Sequence, residues 1–296
     1  MAIKKVTVAG SGVLGSQIAF QSAFKGFDVT VYDISQEAVD KAEERIKGLR
    51  HAYRHDIAAT DEEFNAGISR LKFTDDLAAA VKDADLVIEA IPENPDIKHE
   101  FYQKLSKLAP SNAIFTSNSS TLVPSMFAAD TGRPKQFLNM HFSNQVWLNN
   151  TAEIMGSPET DPAIYQEIVQ YARDIGMVPI QLKKEQPGYI LNSLLMPLNA
   201  AAGALWLKGI ADPKMIDRTW MAATGAPWGP FGILDAVGIR TAYNITLAAS
   251  KKDPAVMPLA DAFKKMLDEG KLGVESGEGF YKYPDPEYKT KEFLEG

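Results

Sequence analysis

The sequence contains no cysteine. That excludes disulfides, thiolate metal sites and a cysteine nucleophile. Positive charge is the minority, with 31 Lys and Arg against 38 Asp and Glu and a net charge of −7. A chain of that balance lacks the basic surface on which nucleic-acid binding depends. Only four histidines occur in 296 residues, so proton chemistry near neutral pH narrows to few candidates. No charged-then-apolar leader precedes the first strand-like run. The most apolar window, "SLLMPLNAAAGALWL", contains Pro197 and Asn199 and falls short of the ~20 residues a membrane span needs. The expectation from these absences is a cytoplasmic protein with no metal site, no nucleic-acid partner and no membrane partner.

Hydrophobic residues make up 45% of the chain, enough at this length for two domains with a substantial core. "KKVTVAG", "FDVTVYD", "ADLVIEAI", "NAIFTSN" and "KQFLNMHF" read as buried strands, with amphipathic helical stretches between them. This alternation predicts an α/β fold, a Rossmann-type doubly wound and mainly parallel sheet. Another helix over 161–175 and a strand at "GMVPIQL" follow. After the breaker-rich "KKEQPG" the β-branched alternation disappears and helical spacing takes over. The expected division is a dinucleotide-binding domain over 1–186 and an all-α C-terminal domain over 187–296. Asp212 followed by Pro213 is a helix start in the latter.

One connection is too long for a sheet loop. About forty residues separate Asp33 from the strand-like run at 71–73, against the usual 2–6. "QEAVDKAEERIKGLRHAYRHD" and "TDEEFNAGI" have helical character, so a helical excursion over about 35–68 is expected beside the sheet. Lys47, Arg50, His51 and Arg54 fall on one face of one continuous helix at i, i+3, i+4, i+7. That face is either simply solvated or the wall of a groove for an anionic ligand.

"VTVAGSGVLGSQIAF" carries Gly10, Gly12 and Gly15 in G-x-G-x-x-G spacing, after an apolar strand and at the head of a helical stretch. Gly10 permits the tight turn, Gly12 the approach of a pyrophosphate, and Gly15 close helix–strand packing, with Val13 and Leu14 opening the helix. Asp33 ends the second strand, where a carboxylate accepts from both ribose hydroxyls and repels a 2′-phosphate. The spacing therefore favours NAD over NADP, with a helix N-cap as the other reading of Asp33.

Oxidation of an alcohol by a nicotinamide cofactor needs a base for the hydroxyl proton, a task that suits histidine. His51, His55 and His99 lie in polar helical patterns. His141 ends an apolar strand, and in an open α/β sheet the ligand crevice lies beyond the carboxyl ends of the strands. It is either a proton carrier or a satisfied core histidine. Asn118, Ser119, Ser120 and Thr121 end another strand, as ligand-holding groups or as turn caps. Glu93 follows the strand before it, and Lys98 opens the next helix. Twelve residues beyond His141 lies Glu153, just before a short apolar run.

Taken together, "DLVIEAIPEN", "NSST", "MHFSN", "AEIM", "PGYILNSLL", "GPFGILD" and "GEGFYKY" resemble the L-3-hydroxyacyl-CoA dehydrogenase family over nearly the whole chain. "HF-N-VW-NNTAE" resembles a bacterial branch of diketoreductases within it. The resemblance implies an NAD-dependent enzyme that interconverts 3-keto and (S)-3-hydroxy groups. It implies His141 as general acid/base with Glu153 as its partner, and Ser120 and Asn192 at substrate oxygens. It places Gly10, Gly12, Val13, Leu14, Gly15, Asp33, Glu93, Lys98, Asn118 and Asn144 at the cofactor, and a homodimer through the C-terminal domain. The chain departs from the family between His141 and Glu153. Gln145 and Trp147 replace prolines, and Thr151 stands near a family lysine. Trp147 offers a flat apolar wall and an indole donor on the substrate side. The substrate is accordingly expected to be a short acyl-CoA such as 3-hydroxybutyryl-CoA, or a 3-keto or 3,5-diketo ester without CoA. A gulonate-type sugar-acid dehydrogenase, a non-enzymatic NAD-binding protein and an interaction protein on an inherited fold are the alternatives.

Overall fold

The computed structural model describes residues 3–251 and 253–295. The chain forms two compact units, Met1–Ile190 and Leu191–Gly296. The first is built on one eight-stranded sheet: β1 Lys5–Ala9, β2 Asp28–Tyr32, β3 Leu71–Thr74, β4 Leu86–Glu89, β5 Ile114–Ser117, β6 Phe137–Phe142, β7 Thr151–Gly156 and β8 Val178–Gln181. The strand order is β3-β2-β1-β4-β5-β6-β7-β8. Strands β1 to β6 run parallel, β7 is antiparallel to β6, and β8 is parallel to β7. This is the expected doubly wound, mainly parallel architecture.

The strands form because their period-2 pattern feeds two cores. Val6, Val8, Leu86, Ile88, Leu138 and Met140 point to one face. Ala9, Val87, Phe115 and Phe137 point to the other. Burial on both faces explains why every residue of β4 and β5 is buried rather than every second one. Helix α1, Val13–Phe24, is buried without interruption from Gly15 to Ala23. The expected helical excursion covers its outer side: α2 Gln36–Gly48, α3 Arg50–Ile57 and α4 Asp61–Ser69. Phe20 of α1 lies 4.4 Å from Phe64 and 4.8 Å from Tyr53, ring to ring. Each such pair adds about 0.5–1.5 kcal/mol beyond the area it buries. Helix α5, Leu77–Val81, and α6, Pro95–Leu108, contribute to the second core, while α7, Pro162–Asp174, joins the first.

One expectation is corrected here. The segment read as one continuous helix is two, α2 and α3, separated at Leu49, whose amide bonds to the Ile46 carbonyl in a tighter turn. Gly48 weakens the helix at that point by about 1 kcal/mol relative to alanine. Of the basic residues on the expected face, Lys47, His51 and Arg54 are exposed, as a solvated face requires. Lys47 pairs with Glu43 on α2, whereas Arg50 on α3 binds Asp61 and Asn65. Strand β7 did not stand out in the sequence at all, because a carboxylate at its centre interrupts an already short apolar run.

The second unit is helical, as expected. Helix α8 spans Tyr189–Leu207, its first two residues belonging to the first unit, followed by α9 Pro213–Thr224, α10 Pro230–Val237, α11 Ile239–Ser250, α12 Met257–Asp268 and α13 Lys291–Glu295. The Asp212 carboxylate accepts from the Met215 amide and caps α9, with Pro213 in its first turn. Phe231, Leu234, Phe263, Met266, Tyr281 and Tyr288 form the core of this unit. Two buried aspartates lie in it. Asp217 accepts from the Phe231 and Gly232 amides and the Tyr281 hydroxyl. Asp235 accepts from the Phe280 and Tyr281 amides and the Tyr283 hydroxyl. Burial pushes both carboxyls above their usual range despite these bonds. A further correction concerns α8. Its apolar stretch does not fall short of a span: at 19 residues it is long and apolar enough to cross a membrane by length and composition. Leu194, Met196, Leu205 and Leu207 on it are exposed.

Candidate active site

The sequence motifs converge on the carboxyl edge of the sheet. There the strand order turns back at the β1/β4 junction, the usual place for a dinucleotide. Gly10 follows β1 with φ of 95°, and a Cβ on it would sit 2.4 Å from the Ala90 carbonyl oxygen. A Cβ on Gly15 would sit 1.9 Å from the Gly10 carbonyl oxygen. Both positions therefore exclude side chains. Gly12 has open space where its Cβ would point and gives α1 no side-chain cap. Val13 and Leu14 form the first turn, so their amides head a helix whose first N–H groups lack intrahelical partners. That is an anion cradle. Asp33 stands beside it after β2. Its Oδ2 accepts from the Ser11 amide at 2.7 Å and hydroxyl at 2.6 Å, and its Oδ1 from the Ile34 amide. The loop and the carboxylate fit a dinucleotide with an unphosphorylated ribose.

His141 and Glu153 face each other directly across the β6–β7 ladder. They share a sheet face because residues directly opposite on neighbouring strands project to the same side. His141 Nδ1 lies 3.1 Å from Glu153 Oε2, with the two residues 7% and 3% exposed. A carboxylate only accepts, so Nδ1 carries the proton and Nε2 is the acceptor nitrogen. Nε2 lies 3.2 Å from Ser120 Oγ. Glu153 Oε1 accepts from the Ile190 amide at 2.9 Å, which holds the carboxylate from its other side. The Tyr189 ring stacks on the imidazole at 4.6 Å and 18°. Its hydroxyl donates to the Ser119 carbonyl and accepts from Asn139, and burial keeps the phenol neutral by raising its pKa.

A second network shapes the loop that carries Ser120. Glu93 Oε1 accepts from the Ser119 hydroxyl, the Ser120 amide, and the Thr121 amide and hydroxyl. Burial works to raise the Glu93 carboxyl. The Ser119 hydroxyl, the Lys98 charge and the Thr121 bonds outweigh it and hold the pKa below the usual range. Lys98, 1% exposed, sits 2.5 Å from Glu89 and 3.4 Å from Glu93. Glu89 also accepts from Tyr102, Ser117 and the Ile91 amide. Asn118 Oδ1 accepts from the Phe142 amide, tying the β5 end to the β6 end.

The predicted residues thus fall into groups. Ser120, Glu93, Lys98 and Asn118 are linked around the ends of β4, β5 and β6, where His141 and Glu153 also lie. Asp33 and the glycines form the cradle at β1 and β2. Asn144 accepts from Gln17 of α1. Trp147 packs on Tyr53 at 5.1 Å and donates to Asp56 at 2.8 Å, so its indole engages the helical excursion. Asn192 belongs to the second unit, in the first turn of α8. Sequence reasoning missed Glu89, Tyr189, Gln17 and Gln21. Glu89 had a signal, a carboxylate closing a wholly apolar strand. The two glutamines had another, long polar side chains four apart in a helix otherwise made of apolar and small residues.

A cofactor cradle and a histidine–carboxylate pair on one sheet edge are what an NAD-dependent dehydrogenase of CH–OH groups requires, and that is the class of this protein. Residues 5–186 match the NAD-binding domain of 3-hydroxyacyl-CoA dehydrogenases, and residues 188–283 match their C-terminal domain. The chain belongs to the 3-hydroxyacyl-CoA dehydrogenase family. It is 33% identical over 289 residues to the mitochondrial hydroxyacyl-coenzyme A dehydrogenase of Homo sapiens, covering 95% of this chain and 91% of that one. It is 33% identical over 281 residues to a probable 3-hydroxybutyryl-CoA dehydrogenase of Deinococcus radiodurans, covering 94% and 100%. A solved diketoreductase, described as acting on dicarbonyl compounds, superimposes with a TM-score of 0.91 at 54% identity, over 96% of this chain and 100% of that chain. The activity is NAD-dependent oxidoreduction of this type.

Proposed function

We propose that the enzyme interconverts a 3-keto group and an (S)-3-hydroxy group with His141 as general acid/base. The substrate is a short 3-hydroxyacyl-CoA, such as 3-hydroxybutyryl-CoA, or a 3-keto or 3,5-diketo ester. The observation that carries this reading is the state of His141, with Nδ1 committed to Glu153 and Nε2 presented beside Ser120. Bound NAD supplies the hydride acceptor in oxidation, and its reduced form the donor in reduction. His141 Nε2 takes the hydroxyl proton in oxidation and returns it to the carbonyl oxygen in reduction. Glu153 fixes the tautomer and stabilises the imidazolium as it forms, as a carboxylate does in hydrolase triads. Ser120 donates to the reacting oxygen, and the family resemblance assigns Asn192 to a substrate oxygen as well.

The Gly10–Gly15 loop holds the pyrophosphate and Asp33 the ribose, with Glu93, Lys98, Asn118 and Asn144 supporting the nicotinamide end. Trp147 walls the substrate side. The exposed apolar residues of α8 fit a homodimer better than a lipid phase, because Asn192 and Asn199 share that helix. A cytoplasmic location belongs to the same reading. The test follows NADH oxidation at neutral pH with acetoacetyl-CoA and with an acetoacetate ester of equal chain length. Preference for the CoA form supports the acyl-CoA substrate, and preference for the ester supports the diketoreductase branch. No oxidation with either substrate refutes the reading.

A further inference from the structure

The turn between His141 and Glu153 is held in an unusual conformation. Gln145 has φ of 59°, a left-handed backbone that non-glycine residues seldom adopt without support from their surroundings. The support comes from α1. Gln17, 6% exposed, accepts from the Gln145 amide at 2.7 Å and the Val146 amide at 3.4 Å, and donates to Asn144 Oδ1 at 2.9 Å. The Gln145 carbonyl in turn receives the amides of Leu148 and Asn149. One turn along α1, Gln21 accepts from the Tyr53 hydroxyl, and on Tyr53 rests Trp147. The helix whose first turn heads the cofactor cradle therefore also grips the segment on the substrate side.

We propose that Gln17 is a positioning residue for the reaction, fixing the Asn144–Val146 turn, and through it the substrate side of the His141 site, to the cofactor helix. This rests on His141 being the proton carrier. Gln17 touches neither reacting atoms nor His141. It acts by imposing the left-handed Gln145 backbone, without which the Asn144 and Trp147 side chains lose their placement.

The test uses the full chain with NADH and two keto substrates, acetoacetyl-CoA and an acetoacetate ester. Gln17→Met keeps the length of the side chain and removes both polar ends. It raises the keto-substrate KM about tenfold with a smaller fall in kcat, and it changes the CoA-to-ester ratio of kcat/KM. Adding Gln145→Gly, which adopts positive φ unaided, restores most of that loss. Gln145→Val, at an exposed position, disfavours the left-handed backbone and reproduces the lesion without touching the buried helix. It carries the test if Gln17→Met does not fold. Wild-type KM and substrate ratio in Gln145→Val, or in a folded Gln17→Met, overturn the proposal. So does a loss in Gln17→Met that Gln145→Gly leaves unchanged. Wild-type protein is assayed first. If it oxidises NADH with neither substrate, the functional reading falls and this proposal with it. If it does, a failure of the variants counts against Gln17 alone.

Discussion

Replacing Glu153 with glutamine changes one oxygen to an amide nitrogen and removes one charge, with almost no change of shape. Both carboxylate oxygens are engaged as acceptors, Oε2 with His141 Nδ1 at 3.1 Å and Oε1 with the Ile190 amide at 2.9 Å. A glutamine accepts through only one of its two ends. If the carbonyl faces His141, the NH2 group meets the Ile190 N–H, donor against donor. If the NH2 group faces His141, Nδ1 must become the acceptor, the proton moves to Nε2, and the base is lost. Either arrangement also leaves the imidazolium without a counter-charge. Two unit charges 3.1 Å apart attract by about 5 kcal/mol at an effective dielectric near 20. The charged hydrogen bond alone is worth about 1.5–3 kcal/mol net. A loss of about 3–5 kcal/mol in the transition state corresponds to about 10²–10⁴ in kcat. The assay is steady-state NADH oxidation with acetoacetyl-CoA and with an acetoacetate ester, alongside NADH binding by fluorescence, which is expected to be retained. A kcat within threefold of wild type on the better substrate would refute the reasoning from tautomer and charge.

Further outcomes follow from the carboxyls. The Glu93 pKa is depressed in the folded state, so its contribution to stability is present above its unfolded value and lost as pH falls through the folded one. The melting-temperature advantage of wild type over Glu93→Gln therefore shrinks in acid below about pH 4.5, and a pH series of thermal melts reads it out. The Asp217 pKa is raised, which gives the opposite sign: its contribution is complete below pH 3.8 and lost as pH rises through the folded value. Urea unfolding of Asp217→Asn across that interval is expected to depend less on pH than that of wild type. Asp235→Ala leaves the buried Tyr281 amide, the half-buried Phe280 amide and the Tyr283 hydroxyl without their acceptor. It is expected to destabilise the protein by about 2–5 kcal/mol, measured by denaturant unfolding.

Much of the fold was legible because the parallel strands are buried on both faces, so "LVIE" and "IFTS" stand out from their surroundings. The glycine loop was legible from steric necessity, and His141 from its place at a strand end. What was hidden is the polar interior. Glu153 reads as the edge of an apolar run because the partner that permits its burial lies twelve residues away, and only the antiparallel ladder brings the two together. Glu89 stays hidden in the sequence, since nothing local says that Lys98 will be buried against it. The departure from the family at Gln145 and Trp147 was visible, but not its consequence. Proline is confined to φ near −65°, and Gln145 at 59° takes a path that a proline cannot follow. The helix break at Gly48 and Leu49 was not visible, because a single weak residue there sits inside a favourable helical spacing.

The hairpin between β6 and β7 divides its labour in a way that bears on adaptation. The distance between His141 and Glu153 is set by the pairing of two neighbouring strands, not by the eight residues that connect Phe142 to Thr151. Those residues can change in sequence, or in number, while the ladder keeps His141 and Glu153 in register. Under the proposed function, changes in this connection outside Asn144 alter substrate choice and leave the His141–Glu153 pairing in place. A library confined to positions 145–150, which spares Asn144, is the economical place to look for new substrates.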